Sequence, residues 1–131
     1  MPTNEYNEFT ATIAQKCFEE VRSRMDLLKQ SEEIEGVLQD ILREVGRLST
    51  ELLYNEAAQE AKEKAREPSF WVKRQNSVTF YTIFGSISVA SPYLYNASKQ
   101  LSKTPTRQFL GIEGKARSQR LEKALVDFGA E

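Results

Sequence analysis

The chain has no histidine and only one cysteine, Cys17. An intramolecular disulfide is therefore excluded, and so is imidazole, the side chain most often used for acid–base chemistry near neutral pH. A zinc site needs about four nitrogen or sulfur ligands, which this composition does not offer. We predict that the chain binds neither a metal ion nor another cofactor.

Long apolar runs are also missing. No stretch reaches the roughly 18 apolar residues that indicate a transmembrane helix. The N-terminal residues, Met-Pro-Thr-Asn-Glu-Tyr, lack the basic and apolar regions of a signal peptide. We therefore expect a cytoplasmic protein without a membrane partner. Its 131 residues, 40% hydrophobic and 28% charged, have the composition of an ordinary globular domain.

Catalytic arrangements are missing as well. Catalysis needs groups that rigid elements hold to within about 0.5 Å, but Asp26, Asp40 and Asp127 all fall on or near predicted helices. The segment Gly111-Ile-Glu-Gly114 lacks the preceding strand and the Lys-Ser signature of a phosphate-binding loop. The serines have no histidine to activate them. We predict that this chain is not an enzyme.

Residues 77–95 form the one stretch in which apolar residues alternate with polar ones and β-branched and aromatic residues are concentrated. This pattern predicts a β-hairpin. Gly85-Ser86 is its predicted two-residue loop, since glycine reaches the positive φ that a type II′ turn requires. The predicted strands are then 77–84 and 87–94.

The predicted hairpin register brings Phe84 opposite Ile87 and Val78 opposite Tyr93, with most large apolar groups on one face. Pro92 has no N–H to donate, so we expect the second strand to lie at a sheet edge at that point. An isolated hairpin is marginal in water. We therefore expect a helix to cover the apolar face.

Two helices are predicted before the hairpin. Apolar residues recur at spacings of three and four over residues 4–29, which predicts an amphipathic first helix. Ser31 is the expected N-cap of the second helix. This helix should run to about Glu67, because the residue before Pro68 is disfavoured in the α conformation.

A heptad a/d pattern runs along the second helix, which makes this helix a candidate coiled coil. Two explanations stay open: the seam packs against the first helix, or it closes a homodimer. We expect the helical pair to hold most of the buried aliphatic side chains and most of the stability. Gly36 and Gly46 interrupt this helix, and a close backbone approach could compensate for them. The seam consists of Ile34, Leu38, Ile41, Val45, Leu48 and Leu52.

The rest of the chain is predicted to be a linker, the hairpin, a polar loop over residues 96–107 and a short helix over residues 115–128. Trp71 is expected to anchor the linker on the core, and stacking on a nucleic-acid base is the alternative. The predicted fold is thus α+β and predominantly helical, with a long N-terminal helical hairpin, then the β-hairpin and the C-terminal helix. We divide it into residues 1–67 and residues 68–131 and expect the two parts to form one compact unit.

The net charge of −1 hides an asymmetry. Residues 1–67 carry 9 Lys+Arg against 15 Asp+Glu, whereas residues 68–131 carry 9 against 4. A basic half can be a solvated surface or can bind a polyanion. The candidate DNA-binding residues are the nine cations of that half: Lys73, Arg74, Lys99, Lys103, Arg107, Lys115, Arg117, Arg120 and Lys123.

Three segments carry a resemblance to a known family. They are Val-Thr-Phe-Tyr-Thr-Ile-Phe-Gly-Ser-Ile-Ser-Val-Ala-Ser-Pro-Tyr-Leu-Tyr, Leu-Gly-Ile-Glu-Gly-Lys-Ala-Arg-Ser-Gln-Arg-Leu and Ala-Leu-Val-Asp-Phe-Gly-Ala-Glu. The chain resembles the N-terminal part of bacterial insertion-sequence transposases of the ISKra type, familiar from cyanobacteria. The most specific part is the Phe84-Gly85 turn followed by Ser91-Pro92-Tyr93.

The resemblance implies a DNA-recognition or assembly segment that precedes an RNase H-like catalytic domain, which this chain lacks. We accordingly expect a fragment or remnant of a transposase. Many relatives carry paired cysteines after the second strand, whereas this sequence has Tyr95-Asn-Ala-Ser98, so no zinc ribbon is expected.

Two functions follow as hypotheses. The first is a non-catalytic DNA-binding segment of a transposase, with double-stranded transposon ends as partner and a nucleoid location. The second is a coiled-coil-like protein-interaction module without nucleic-acid binding, which could form a homodimer through the Ile34–Leu52 seam.

Overall fold

The structure is a computed structural model that describes residues 7–67, 69–111 and 117–129, with side chains to residue 125 in the last range. The predicted α+β, predominantly helical class is confirmed. A long helical region precedes an antiparallel sheet and a short C-terminal helix. The elements are α1 (Asn7–Arg24), a 3-10 turn (Ser31–Glu33), α2 (Ile34–Ala65), β1 (Trp71–Thr82), β2 (Gly85–Asn96), β3 (Leu101–Lys103), α3 (Pro105–Leu110) and α4 (Gln119–Gly129).

The chain divides into two compact units, residues 1–44 and 45–131. The boundary falls inside α2, whereas the sequence-based division follows the end of that helix. The physical reason lies in the second part of α2, whose side chains bind and pack on the sheet. That part of the helix therefore belongs with the strands.

In the first unit, α1 ends at Arg24 and a tight turn leads to α2. The Oδ1 atom of Asp26 accepts the backbone N–H groups of Leu28 (3.1 Å) and Lys29 (3.3 Å). Such side-chain-to-backbone bonds favour turns over helix, which explains a break close to the predicted position. Ser31 opens the 3-10 turn instead of capping α2 directly, and its carbonyl accepts the N–H of Ile34.

An apolar cleft of about 740 Å³ lies within this unit, between α1 and the start of α2. Val21 is the one buried residue of α1, while Phe9 and Phe18 remain 58% and 50% exposed. Cys17 is a free thiol in the wall of this cleft. The predicted apolar stripe of the first helix therefore exists, but it is only partly covered by the residues that the structure describes.

The second unit contains a three-stranded antiparallel sheet in the order β1-β2-β3. The hairpin exists, but its predicted loop is wrong. Thr82 pairs with Gly85 and Phe80 with Ile87, so the loop is Ile83-Phe84. Gly85 has a φ of 120° and follows the loop instead of opening it, as glycine does in hairpins built on other turn types.

The hairpin loop is held by Thr82, whose Oγ1 atom accepts the N–H of Phe84 (3.2 Å) and donates to the carbonyl of Gly85 (2.8 Å). The turn lies two residues before the predicted position. Because side chains alternate with a period of two, an even shift leaves the residues that stay in the strands on their predicted faces, whereas Phe84 moves from the first strand into the loop. The prediction of one apolar face thus survives the wrong register.

The core of this unit lies between α2 and that face. Phe80, Ile87 and Val89 are buried together with Ala58 of α2, and Tyr54 packs against them. The expectation that the helical pair holds most buried aliphatic side chains is wrong, because most of the buried hydrophobic residues lie in or beside the strands. In contrast, Leu52 of the seam is 74% exposed.

Side chains of α2 hydrogen-bond the backbone groups along the outer edge of β2, the edge that does not face β1. The Asn55 side chain donates to the Ser88 carbonyl (2.9 Å) and accepts the N–H of Ala90 (2.8 Å). Glu51 accepts the N–H of Ser88 (2.9 Å). These bonds replace a neighbouring strand, since backbone groups of a covered edge need partners.

The predicted polar loop over residues 96–107 is also wrong. Its residues form β3, which pairs with Leu94–Asn96 of β2, and the start of α3. Thr106 of α3 donates to the Ala90 carbonyl (2.6 Å). Pro92 lies beyond the part of β2 that β3 covers, which agrees with the edge position expected there. The predicted C-terminal helix begins at Gln119.

Gly46 is a position of close approach between α2 and the hairpin loop. A Cβ atom at Gly46 would lie 2.5 Å from Cδ1 and 2.9 Å from Cγ of Phe84, whereas a Cβ at Gly36 would have no atom within 4 Å. The close approach suggested by sequence therefore applies to Gly46 and not to Gly36.

This difference gives a matched pair of substitutions. Gly36→Ala should raise the free energy of unfolding by up to about 1 kcal/mol through helix propensity. Gly46→Ala should lower it by about 1–3 kcal/mol, because the new methyl group displaces the Phe84 ring. Urea denaturation followed by circular dichroism measures both changes.

A double substitution tests whether the Phe84 ring causes the loss of stability in Gly46→Ala. Phe84→Ala combined with Gly46→Ala should lose less stability than the two single changes added together, because the clash is removed. Equal stabilisation by the two glycine substitutions would contradict the contact between Phe84 and Gly46.

Candidate nucleic-acid interface

Exposed or half-buried aromatic side chains meet exposed basic ones where β1 begins and β2 ends. We call them the aromatic–basic cluster: Trp71, Lys73, Arg74, Tyr93 and Tyr95. Trp71 pairs with Tyr95 and Arg74 with Tyr93 in the sheet, with a register irregularity between Val72 and Arg74. The irregularity leaves Lys73 as an extra residue on β1, as in a β-bulge.

The bulge explains how two consecutive cations reach neighbouring rings. Tyr93 and Tyr95 are two residues apart on one strand and therefore share a face. The Nζ atom of Lys73 lies 4.7 Å from the Tyr95 ring centroid, and the Cζ atom of Arg74 lies 5.1 Å from that of Tyr93. Both distances lie within the range of cation–π attraction. In a regular strand, residues 73 and 74 would point to opposite faces.

Trp71 is part of this surface and not of the core. Its ring meets the Tyr95 ring edge-on, with centroids 6.1 Å apart and an interplanar angle of 87°. Trp71 is 49% exposed, while the adjacent Phe70 is 5% exposed. The expectation that Trp71 anchors the linker on the core is therefore wrong. The buried aromatic residue of the linker is Phe70.

A polar groove of about 620 Å³ adjoins the cluster at Tyr93. Arg107 of α3 lines the groove opposite the strands, and Gln75 and Asn76 contribute amide groups from β1. Amides and a guanidinium supply both hydrogen-bond donors and acceptors. The remaining lining residues are Ser77, Val78, Ser91, Tyr93 and Thr104.

Lys103 has structural partners. Its Nζ atom donates to the Ala65 carbonyl and to Glu67, both at 3.1 Å, and lies 4.4 Å from the centroid of the Phe70 ring. The side chain is 28% exposed. A lysine at the C-terminal end of a helix satisfies its last carbonyls, so Lys103 joins β3 to the end of α2.

The cations near α4 lie apart from the cluster. Arg117 forms an ion pair with Glu122 (3.3 Å), and the N–H of Ser118 donates to the carbonyl of Tyr81 (2.8 Å). At about 3.3 Å per residue, Tyr81 is roughly 30 Å from Trp71 along β1. Arg120 and Lys123 are exposed on α4, and α4 contacts the hairpin-loop end of the sheet.

The structure therefore brings together only some of the nine candidate cations. Lys73, Arg74 and Arg107 lie at the cluster and its groove. Lys99 is exposed in the turn that follows β2, where its N–H donates to the Asn96 side chain (3.2 Å). Lys115 lies outside the described residues.

Electrostatics favour an anionic ligand at this end of the sheet. Residues 68–112 contain five Lys+Arg and no Asp or Glu. Glu67 neutralises Lys103, so the positive potential comes from the other four cations. Tyr93 and Tyr95 were not among the candidate residues, although the Tyr-Leu-Tyr alternation places both rings on one face and could have identified them.

Comparison of the sequence with protein-family models, with curated proteins and with solved structures gives no match. Within the described ranges, no three His, Cys, Asp or Glu side chains converge as a metal site requires. Neither α1 nor α2, the longest helices in the described part of the chain, is apolar enough to cross a bilayer.

Proposed function

We propose that this chain is a non-catalytic DNA-binding protein whose interface is the aromatic–basic cluster with Lys99 and Arg107. The observation that carries the proposal is the pair of cations held over Tyr93 and Tyr95 beside a polar groove. Cations that contact phosphates supply most of the affinity of non-specific DNA binding. The groove supplies groups that could read base edges.

The resemblance to the N-terminal part of ISKra-type transposases supports the same function. In that setting the chain would recognise or assemble on transposon ends, and a separate domain would carry out strand transfer. The proposed partner is DNA at the nucleoid, in the cytoplasm of a bacterium. The proposal needs no catalytic residue in this chain.

The salt dependence of DNA affinity tests the interface. If Lys73, Arg74, Lys99 and Arg107 each neutralise one phosphate, the log–log slope of affinity against salt should be about −3.6, from roughly −0.9 per phosphate. Replacing Lys73 and Arg74 by alanine should flatten the slope by about 1.8 and weaken binding to every sequence. Fluorescence anisotropy of a labelled duplex measures both quantities.

The matched control is Arg120→Ala with Lys123→Ala, which removes the same charge from α4. This control should leave the slope nearly unchanged. If the α4 pair flattened the salt slope more than the Lys73 and Arg74 pair, the interface would lie at the other end of the sheet. Failure of the parent chain to bind either duplex or single-stranded DNA at about 50 mM salt, where phosphate contacts are strong, would contradict the function itself.

The second candidate function is self-association through the seam of α2. Val45, Leu48 and Leu52 are 45%, 46% and 74% exposed, although they continue a heptad a/d pattern. A narrow stripe of this spacing is typical of coiled coils. We therefore propose a second copy of this chain as the partner of the seam, compatible with DNA binding elsewhere on the chain.

Light scattering during size-exclusion chromatography tests this dimer. Leu52→Glu should shift the parent dimer toward monomer, because it places a charge in the buried seam of each helix. Leu53→Glu is the matched control, since Leu53 is 70% exposed but lies outside the a/d positions. A monomeric parent at all concentrations, or equal effects of the two substitutions, would contradict the dimer.

A further inference from the structure

We propose that the aromatic–basic cluster binds an unpaired DNA base, stacked on Trp71. The preferred substrate of this surface is then single-stranded or locally unpaired DNA, not continuous duplex. The inference rests on the proposed DNA binding and adds to it the strand state of the DNA.

Trp71 lies at the surface, where a base can stack on it. Leaving half of a tryptophan in water forgoes favourable burial, since large aromatics contribute most when covered. The chain has an aromatic for the core at the neighbouring position, Phe70, and leaves Trp71 on the surface at 49% exposure. Exposed aromatics on a positively charged surface are the stacking platforms of single-strand binding proteins, and stacking tolerates any base because every base has a π face.

A cation is held close to the ring that contacts Trp71. Lys73 lies over Tyr95, and the same tyrosine contacts Trp71 edge-on. A positive charge is therefore held one ring away from the exposed indole. A base on Trp71 would bring its own phosphates toward Lys73 and Arg74, where cation–π contacts already restrict the side chains.

The adjoining groove can bind the edges of unpaired bases. Gln75, Asn76 and Arg107 offer donors and acceptors beside Tyr93. Such groups hydrogen-bond the Watson–Crick edges of splayed bases. In a duplex these edges are engaged and both base faces are stacked, so only an unpaired nucleotide can use the groove and the indole together.

An acidic peptide would meet the same positive charge, but only some peptides carry an aromatic ring, whereas every nucleotide carries both a phosphate and a base with a π face. The cluster contains three aromatic side chains and its segment, residues 68–112, has no acidic residue. The charge alone fits both ligands. The combination of charge with exposed rings favours nucleic acid.

Trp71 is the only tryptophan in the chain, so intrinsic tryptophan fluorescence reports on this position alone. We would titrate the intact chain with an oligothymidylate of about 20 nucleotides, longer than the roughly 4–16 nucleotides covered by one single-strand-binding fold. The comparison ligands are an abasic strand of the same length and a duplex of the same length. End-labelled strands report binding independently by anisotropy.

The oligothymidylate should quench the fluorescence of Trp71 in parallel with binding. The abasic strand should bind more weakly and leave the fluorescence nearly unchanged, because it keeps the phosphates and lacks the bases. Trp71→Leu should weaken oligothymidylate binding by roughly 5- to 150-fold, the range expected for one stacked base. Trp71→Phe should restore part of the loss.

Tyr81→Leu is the matched control, since Tyr81 is also 49% exposed and lies at the other end of β1. This control should bind oligothymidylate like the parent chain. Circular dichroism of each variant checks that the fold is retained.

The outcomes separate the two proposals. Binding of oligothymidylate with unchanged fluorescence and no effect of Trp71→Leu would overturn the stacking site and leave DNA binding intact. Tighter binding to the duplex than to the oligothymidylate would also overturn it. Failure of all three ligands to bind would overturn the DNA-binding function and the stacking site together.

Discussion

Hydrogen bonding along the outer edge of β2 is the constraint on which the second unit depends. β2 is the central strand, but β3 covers only Leu94–Asn96, so the rest of that edge needs other partners. The Asn55 side chain donates to one backbone carbonyl and accepts one N–H there, as a neighbouring strand would. Because these bonds fix α2 along the edge, Ala58 reaches the apolar face and the Phe84 ring reaches Gly46.

The same arrangement determines which end of the sheet carries the candidate interface. α2 contributes Tyr54 and Ala58 to the core around Phe80 and Val89, while the opposite end of the hairpin keeps its tyrosines and Trp71 partly exposed. A β-bulge then places two consecutive cations over those tyrosines. The DNA-binding proposal therefore follows from backbone geometry as well as from charge, since charge alone would not distinguish this end from α4.

The sequence predicted features that depend on periodicity and missed those that depend on contacts between distant residues. The period of two gave the apolar face of the hairpin correctly even though the turn was displaced, because the displacement is even. The loop was wrong because a glycine can follow a turn as well as open it. The role of Asn55 could not be predicted, since its bonds cross 33 positions to Ser88. Nothing in the amino-acid composition indicates the bulge at Lys73. The contacts of Lys73 and Arg74 with the tyrosine rings could therefore be identified only from the pairing of both strands.

The measurement that tests the DNA interface most directly is ultraviolet crosslinking of the chain to single-stranded DNA, followed by tryptic digestion and mass spectrometry. The chain offers two informative peptides, residues 67–73 with Trp71 and residues 75–99, in which fragmentation distinguishes Tyr93 and Tyr95 from Tyr81. The account predicts that crosslinks concentrate in these two peptides and that excess unlabelled strand removes them. Crosslinks confined to residues 1–44 or to α4 would contradict an interface at the aromatic–basic cluster.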